Sequence, residues 1–363
     1  MPLTALRRQP LYPKRMASSL NNTDWIEWVS TLMGGVSRQT QTATLPPDRF
    51  YCLLDELPFH LIPRRYLDLL TTSETRPQPL FLNRSCVLAD AGKLPDDLVP
   101  YPDLFSRFAM QESIAWVRDE ATFAWLPFWL GAKFRAIVEN LKPGEAAPES
   151  LPKDVRSLLS AAGILQATDA NDVQHRSHTE TVTTAVSPFR ERGYAPIRDL
   201  IHPFHIAALR RYYRCLVRKG EIALGDGQSP RRYIAYNDPV ARFFHHQIAA
   251  TLSAVAGEPV KPSYVYLASY LSGAELKKHT DREQCEFSVT LCLDFSPEPA
   301  METPWPIKLD TSAGTTIVYQ SIGDGLAYRG TRLPHYRDVL PEGHTSTSIF
   351  FHYVAADFKG SLA

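Results

Sequence analysis

Residues 276–295 read LKKHTDREQCEFSVTLCLDF. A histidine and an aspartate two apart, His279 and Asp281, lead into a run in which Phe287, Val289, Leu291, Leu293 and Phe295 alternate with Ser288, Thr290, Cys292 and Asp294. Alternation of period two marks a β-strand, and residues i and i+2 of extended chain project to one side. The pair is either a two-ligand corner for a metal ion or a polar turn. An HxD pair by itself is weak, because such pairs arise by chance in many chains. Its surroundings decide the reading.

Downstream the same grammar continues. WPIKLD, TTIVYQSI, GLAYRG, LPHYRDVL and STSIFFHYV follow, separated by Gly, Pro and Asp turns, and SYVYLASYL precedes the pair. A run of about seven or eight short strands has the density of a sandwich or small barrel. Upstream, GYAPIRDLI reads as a short strand. His202-Pro203 then opens a helix whose Ile206, Leu209, Tyr213 and Leu216 form an apolar stripe. Arg210, Arg211, Arg214, Arg218 and Lys219 on that helix read as a solvated face, since the rest of the chain is not basic. A second helix is framed by Asp238 as cap, Pro239 at the first position and Gly257 at the exit. Its neighbours His245 and His246 point about 100° apart, cannot share one ion, and read as structural or surface residues.

The expected fold is α+β: an all-β sandwich or small barrel with a helical buttress and a mainly helical N-terminal domain before it. The expected organisation is residues 1–165 mainly helical, 166–187 a polar linker, and 188–363 the β domain. AWVRDEATFAWLPFWLGAKFRAIVENL has helical spacing, and QATDANDVQHRSHTETVTTAVS, poor in bulky apolar residues, reads as the loosest connector. Trp25, Trp28, Trp116, Trp125 and Trp129 read as an ordinary aromatic core rather than as a recognition surface.

Composition bounds the function. Lys and Arg number 39, as do Asp and Glu, in 363 residues, so no broad nucleic-acid footprint is expected. The five cysteines form no CxxC and no disulfide framework, and a cytoplasmic setting fits. Cys285 and Cys292 read as buried small hydrophobes. The apolar stretch 121–132 is too short to span a bilayer. The first 23 residues carry Arg7, Arg8, Lys14 and Arg15 without an apolar core, which reads as a basic leader rather than a secretory signal. No membrane partner is expected.

An O2-activating Fe(II) site needs two neutral imidazoles and a carboxylate on one face of the ion, with adjacent positions open. With His279 and Asp281 as two ligands, the third must be a later histidine: His335, His344 or His352. His335, after Pro334 on a short strand, fits best. Here YLSGAELKKHTD (270–281) and GDGLAYRGTRLPHYRD (323–338) resemble the Fe(II)/2-oxoglutarate-dependent dioxygenases. Their double-stranded β-helix, a jelly-roll or cupin-like barrel, carries HxD…H on its second and seventh strands, and the resemblance implies that fold for the β domain here. The likeness is greatest to the prolyl-hydroxylase and phytanoyl-hydroxylase-like branches and spans about residues 188–356. It implies His279, Asp281 and His335 as metal ligands, Fe(II) as cofactor, 2-oxoglutarate as co-substrate and O2 as oxidant. It implies hydroxylation of an unactivated C–H of a small molecule, amino acid or peptide, with succinate and CO2 as co-products. Asp281 stands where related halogenases have a small residue, so hydroxylation or desaturation is favoured over halogenation.

One part of the family pattern is missing. Most members hold the distal carboxylate of 2-oxoglutarate with an Arg or Lys on the final strand, and here that stretch is His344-Thr345-Ser346. A buried carboxylate without a partner is costly. Arg337, two residues past His335 on the same face, is the first substitute, its planar fork suited to a carboxylate. Lys308 on the WPIKLD strand is the second, and Arg282 is disfavoured because it alternates away. Tyr270, with Tyr264 and Tyr266, could donate a hydroxyl. A non-catalytic β-barrel binding module and a metal enzyme of this fold that does not use 2-oxoglutarate stay open at this point.

Overall fold

The computed structural model of the chain describes residues 45–67, 79–120, 122–167 and 170–362. The first 23 residues, expected to be a basic leader, and Trp25 and Trp28 lie outside them. Residues 45–166 carry five short strands: β1 (Phe81–Leu82), β2 (Cys86–Ala89), β3 (Ile114–Arg118), β4 (Trp125–Trp129) and β5 (Leu165–Gln166). They carry two α-helices, α1 (Gly131–Val138) and α2 (Lys153–Ala161). The mainly helical N-terminal half expected from sequence is therefore not what the described residues show. The stretch read as one helix is a β3–β4 hairpin followed by α1. Its strand segments, IAWVR and WLPFW, are rich in aromatic and β-branched side chains. Phe123 takes a left-handed turn conformation between them, with φ 58°. Pro127 is tolerated because β4 is an edge strand of the β2-β3-β4 sheet.

A second difference follows. Ala170–Arg192 is a helix, α3, where a loose polar connector was expected. No glycine or proline interrupts residues 170–187, so polarity alone did not prevent a helix. Then come β6 (Tyr194–Ile197), α4 (Pro203–Lys219), β7 (Ala223–Leu224), β8 (Arg232–Tyr236) and α5 (Pro239–Ala256). Asp238 caps α5 by accepting from the Val240 and Ala241 amides at 3.1 and 3.2 Å. Gly257 ends α5 at φ 75°, as the sequence predicts.

Eight further strands complete the chain: β9 (Val260–Tyr270), β10 (Leu276–His279), β11 (Phe287–Ser296), β12 (Ile307–Thr311), β13 (Gly314–Val318), β14 (Gly325–Tyr328), β15 (His335–Arg337) and β16 (Thr345–Ala355). They divide between two antiparallel sheets. The larger runs β6-β14-β11-β16-β9-β8-β7 and the smaller β10-β15-β12-β13. Ile307, Leu309 and Val318 of the small sheet pack against Tyr194, Leu326 and Tyr328 of the large one. The outer face of the large sheet is covered by α4 and α5, the expected buttress.

A register shift between Cys292 and Asp294 brings Asp294 to α4. There Arg210 Nε donates to Asp294 Oδ1 at 3.0 Å and Arg214 Nε to Oδ2 at 2.6 Å. Arg210 also reaches Glu298 and the Leu61 carbonyl, and Arg211 stacks on Tyr51. These arginines tie α4 to the N-terminal segment and the sandwich rather than forming a solvated face. Trp116 and Trp129 are fully buried among Phe50, Phe105, Phe108 and Phe243, an aromatic core as expected.

Candidate metal centre

His279 ends β10, His335 begins β15, and these strands pair so that the two residues face each other across the ladder. Asp281 follows β10, its backbone amide donating to the Gly330 carbonyl at 2.9 Å. One donor atom from each of the three side chains lies within 4.8 Å of the others. Asp281 Oδ1 is 3.6 Å from His279 Nε2 and 3.6 Å from His335 Nε2, and the imidazole centroids are 4.3 Å apart.

The donor chemistry suits a metal. His279 Nδ1 lies 2.7 Å from the Lys277 carbonyl, and His335 Nδ1 lies 3.0 Å from the Leu333 carbonyl. A carbonyl only accepts, so each Nδ1 carries the proton and each Nε2 turns a lone pair toward Asp281. Burial holds His335 below the usual imidazole range, with the Asp281 carboxylate opposing that effect. Burial thus favours the neutral imidazole, the form a metal needs.

Asp281 Oδ2 is occupied elsewhere. It accepts from Ser288 Oγ at 3.1 Å, and Ser288 Oγ lies 2.9 Å from His352 Nδ1. Gly330 closes over this corner: a Cβ there would stand 2.4 Å from Asp281 Oδ2, 2.5 Å from the Cys285 carbonyl and 2.7 Å from Ser288 Oγ. His352, buried, has its pKa lowered to about 4 by desolvation, and burial pushes the Cys285 thiol up to about 12. Asp281, Cys285 and His352 form a second group of potential donors on the far side of the carboxylate.

Arg337 enters the sandwich from the face of β15 that carries His335; Tyr336 between them is partly exposed. Its Nη1 donates to the Trp305 carbonyl, its Nη2 to Gln320 Oε1 at 3.2 Å, and its guanidinium lies 4.8 Å from the Trp305 ring centroid. Its Nε is buried without a partner. Among the described residues no carboxylate pairs with it, and desolvation lowers its pKa. Tyr270 is fully buried beside it, 5.0 Å from Trp305 between centroids. The Tyr270 hydroxyl accepts from Arg232 Nη1 at 3.1 Å, which leaves its own proton to donate. Arg232, by contrast, is neutralised by Asp226.

Lys308 is not part of this constellation. It pairs across the ladder with Tyr336, on the other face of β15, and its Nζ holds Asp338 Oδ2 at 2.5 Å. Its expected role is corrected: register on β12 sends Leu309 inward and Lys308 outward. Arg282 lies 4.4 Å over the Tyr264 ring, away from Arg337. His344 is held at the Glu342 carbonyl, outside the triad. The sequence marks Gly330 only as a corner glycine of the strand run, and it gives Ser288, Gln320 and Trp305 no site role. All four sit in the quoted stretches, but nothing in their spacing ties them to the metal corner or to Arg337.

No protein-family model and no curated protein matches the chain. Solved structures that it resembles include a Pseudomonas putida prolyl-4-hydroxylase, at 16% identity, covering 49% of this chain and 100% of that one with a TM-score of 0.41. Another is SnoN, a non-haem α-ketoglutarate-dependent epimerase from nogalamycin biosynthesis, at 13% identity, covering 50% and 83%, TM-score 0.41. A third is HygX from Streptomyces hygroscopicus, with nickel, 2-oxoglutarate and hygromycin B bound, at 11% identity, covering 48% and 88%, TM-score 0.39. At such values the functional reading rests on side-chain geometry instead.

Proposed function

We propose that this chain is an Fe(II)- and 2-oxoglutarate-dependent oxygenase. The observation that carries the reading is the pairing of a His-Asp-His cluster with a buried guanidinium that has no carboxylate partner among the described residues. The strand order supports it. Taken from β9, the eight strands alternate between sheets as β9-β16-β11-β14 and β10-β15-β12-β13. That is the order of a double-stranded β-helix with HxD closing its second strand and the later His on its seventh.

His279, Asp281 and His335 would hold the metal, each imidazole through Nε2. Bound Fe(II) supplies the one-electron chemistry with O2 that no side chain possesses. Arg337 would take the distal carboxylate of 2-oxoglutarate. A buried charge left alone is expensive, and a carboxylate arriving with the co-substrate removes that cost. Tyr270, with its free proton, would donate to the same carboxylate, and Gln320 and the Trp305 carbonyl orient the guanidinium. The apolar and aromatic walls, Tyr328 and Leu309 among them, exclude water from the reacting centre. The substrate is a small molecule, amino acid or peptide whose C–H bond is hydroxylated.

The test is anaerobic addition of Fe(II) and then 2-oxoglutarate to the full chain. A visible charge-transfer band of the iron–2-oxoglutarate chelate is expected, together with O2-dependent formation of succinate. Metal uptake without the band would remove 2-oxoglutarate from the reading, and no metal uptake would overturn it altogether.

A further inference from the structure

Asp281 is the ligand with a choice: either oxygen, or both, can face an ion. How it chooses determines how many coordination positions remain open. From the contacts around it we infer that Ser288, oriented by His352, is a positioning residue that commits Asp281 to bind through Oδ1 alone. This inference rests on the metal reading above.

The first observation is the split of the carboxylate. Oδ1 lies 3.6 Å from both Nε2 atoms, while Oδ2 receives the Ser288 hydroxyl at 3.1 Å on the opposite side. The second is proton accounting. A serine hydroxyl has one proton, and three acceptors lie within reach of it: Asp281 Oδ2, His352 Nδ1 and the Cys285 carbonyl, at 3.1, 2.9 and 3.4 Å. A carboxylate oxygen is the strongest acceptor, so the proton goes to Asp281 and His352 must carry a proton on Nδ1 to donate to Ser288 Oγ. One tautomer of His352 satisfies all three groups; the other leaves Oδ2 unpaired.

His352 is itself fixed. Its ring lies 4.7 Å from Tyr264 between centroids, and its backbone carbonyl lies 2.7 Å from His245 Nε2. The third observation is steric. The corner holding Oδ2 is closed by Gly330, where even a methyl group would stand 2.4 Å from that oxygen. Swinging Oδ2 onto the ion would break its hydrogen bond to Ser288 and open this packed corner. A carboxylate bound through one oxygen, with two imidazoles, leaves three positions of an octahedral ion vacant. The same hydroxyl also explains why Asp281, Cys285 and His352 converge: Ser288 joins two of them by hydrogen bonds.

The experiment compares Ser288→Ala, His352→Leu and His352→Asn with the parent chain, using Co(II) as probe under anaerobic conditions. Asparagine keeps a donor near the Nδ1 position; leucine does not. Ser288→Ala and His352→Leu are expected to weaken Co(II) binding about 10- to 100-fold, the range for loss of an outer-sphere partner. They are expected to shift the ligand-field spectrum while leaving the metal-free melting temperature near the parent value. His352→Asn is expected to restore binding to within a few-fold. Parent-like affinity and spectrum in both Ser288→Ala and His352→Leu would overturn the inference. So would a loss explained by a lower metal-free melting temperature. Uptake of two Co(II) per chain with a thiolate charge-transfer band lost in Cys285→Ser would also overturn it, because the second donor group would then hold an ion itself. Failure of the parent to bind Co(II) would instead strike the metal reading.

Discussion

His335 and Arg337 project into the sandwich from the same face of one three-residue strand, and both are almost wholly buried. One directs Nε2 at Asp281; the other meets a carbonyl, an amide oxygen and an indole face but no carboxylate among the described residues. Strand pleating ties the two functions together. Side chains two apart rise on one side about 7 Å from each other, so the proposed metal ligand and the proposed co-substrate cation come from one short segment.

Arg337→Met tests that relationship. The variant is expected to bind 2-oxoglutarate at least about 30-fold more weakly, a cost of about 2 kcal/mol or more for losing a charge-assisted pair. Fe(II) affinity should stay near the parent value. Its melting temperature should hold or rise, because an unpaired buried charge has been removed. Lys308→Ala should change neither affinity. Equal 2-oxoglutarate binding in Arg337→Met, measured by titrating the chelate band, would remove Arg337 from the site.

Metal binding should stabilise the fold by mass action. At a free metal concentration about 100 times Kd the gain is about 2.7 kcal/mol. Differential scanning calorimetry with and without Fe(II) or Co(II), kept anaerobic, reads this as a rise in melting temperature. His279→Ala and Asp281→Ala should abolish the rise and the activity while folding as the parent does without metal. A parent-sized metal shift in either variant contradicts the assignment.

Gly330 is a packing requirement rather than a hinge. Gly330→Ala places a methyl group against Asp281 Oδ2, the Cys285 carbonyl and Ser288 Oγ, all closer than 3 Å. Backbone must shift to relieve it, at a cost of about 1–3 kcal/mol. The urea midpoint is expected to fall and metal affinity with it. Unchanged values for both would show that the corner is looser than its contacts imply.

Stability should fall as the solution is acidified. His202 and His205 are buried neutral imidazoles with pKa values lowered by desolvation to about 4 and about 3, and His245 is lowered by the same cause. Each sits against a backbone carbonyl, of Ala161, Pro127 and His352 respectively. The folded-state values lie below the unfolded value of 6.5, so below that pH the unfolded chain binds more protons. Their contribution is complete above about pH 6.5 and is lost progressively toward pH 4 and below, each group adding up to about 1.4 kcal/mol per pH unit. Urea midpoints between pH 7.5 and 5 measure the slope. His205→Phe, which keeps the stack on Phe128, should flatten it; an unaltered slope would exclude His205 as a source.

Asp294 should be costly to lose. It receives both Arg210 and Arg214, and Arg210 is buried to 2% exposure. Asp294→Ala leaves that guanidinium with Glu298 and the Leu61 carbonyl only. A destabilisation of about 3–5 kcal/mol is expected from breaking a buried pair. A urea midpoint within error of the parent would show that Glu298 alone suffices.

Local chemistry was legible in the chain itself. Alternation in EFSVTLCLDF, the cap and exit of α5, and HxD at a strand end are consequences of backbone period and hydrogen-bond need, which act over a few residues and leave their mark in order along the sequence. The N-terminal half was less legible. Helical spacing of apolar residues in 115–141 competed with the strand preference of Trp, Val and Ile, and pairing within the sheet, a non-local event, gave the strands the advantage. Arg337 was named from i, i+2 geometry, while Lys308 was misplaced because the register of β12 against β15 is fixed by packing between strands and not by either strand alone.

What the sequence determined was the donor types and their alternation along each strand. Only the tertiary structure decided that His335 is the later histidine that joins His279 and Asp281, that Ser288 and Gly330 enclose the other Asp281 oxygen, and that Arg337 meets no carboxylate among the described residues. The physical reason is range: side-chain period is set by neighbouring peptide units, whereas a three-residue convergence depends on how two sheets twist, pack and exclude water over the whole fold.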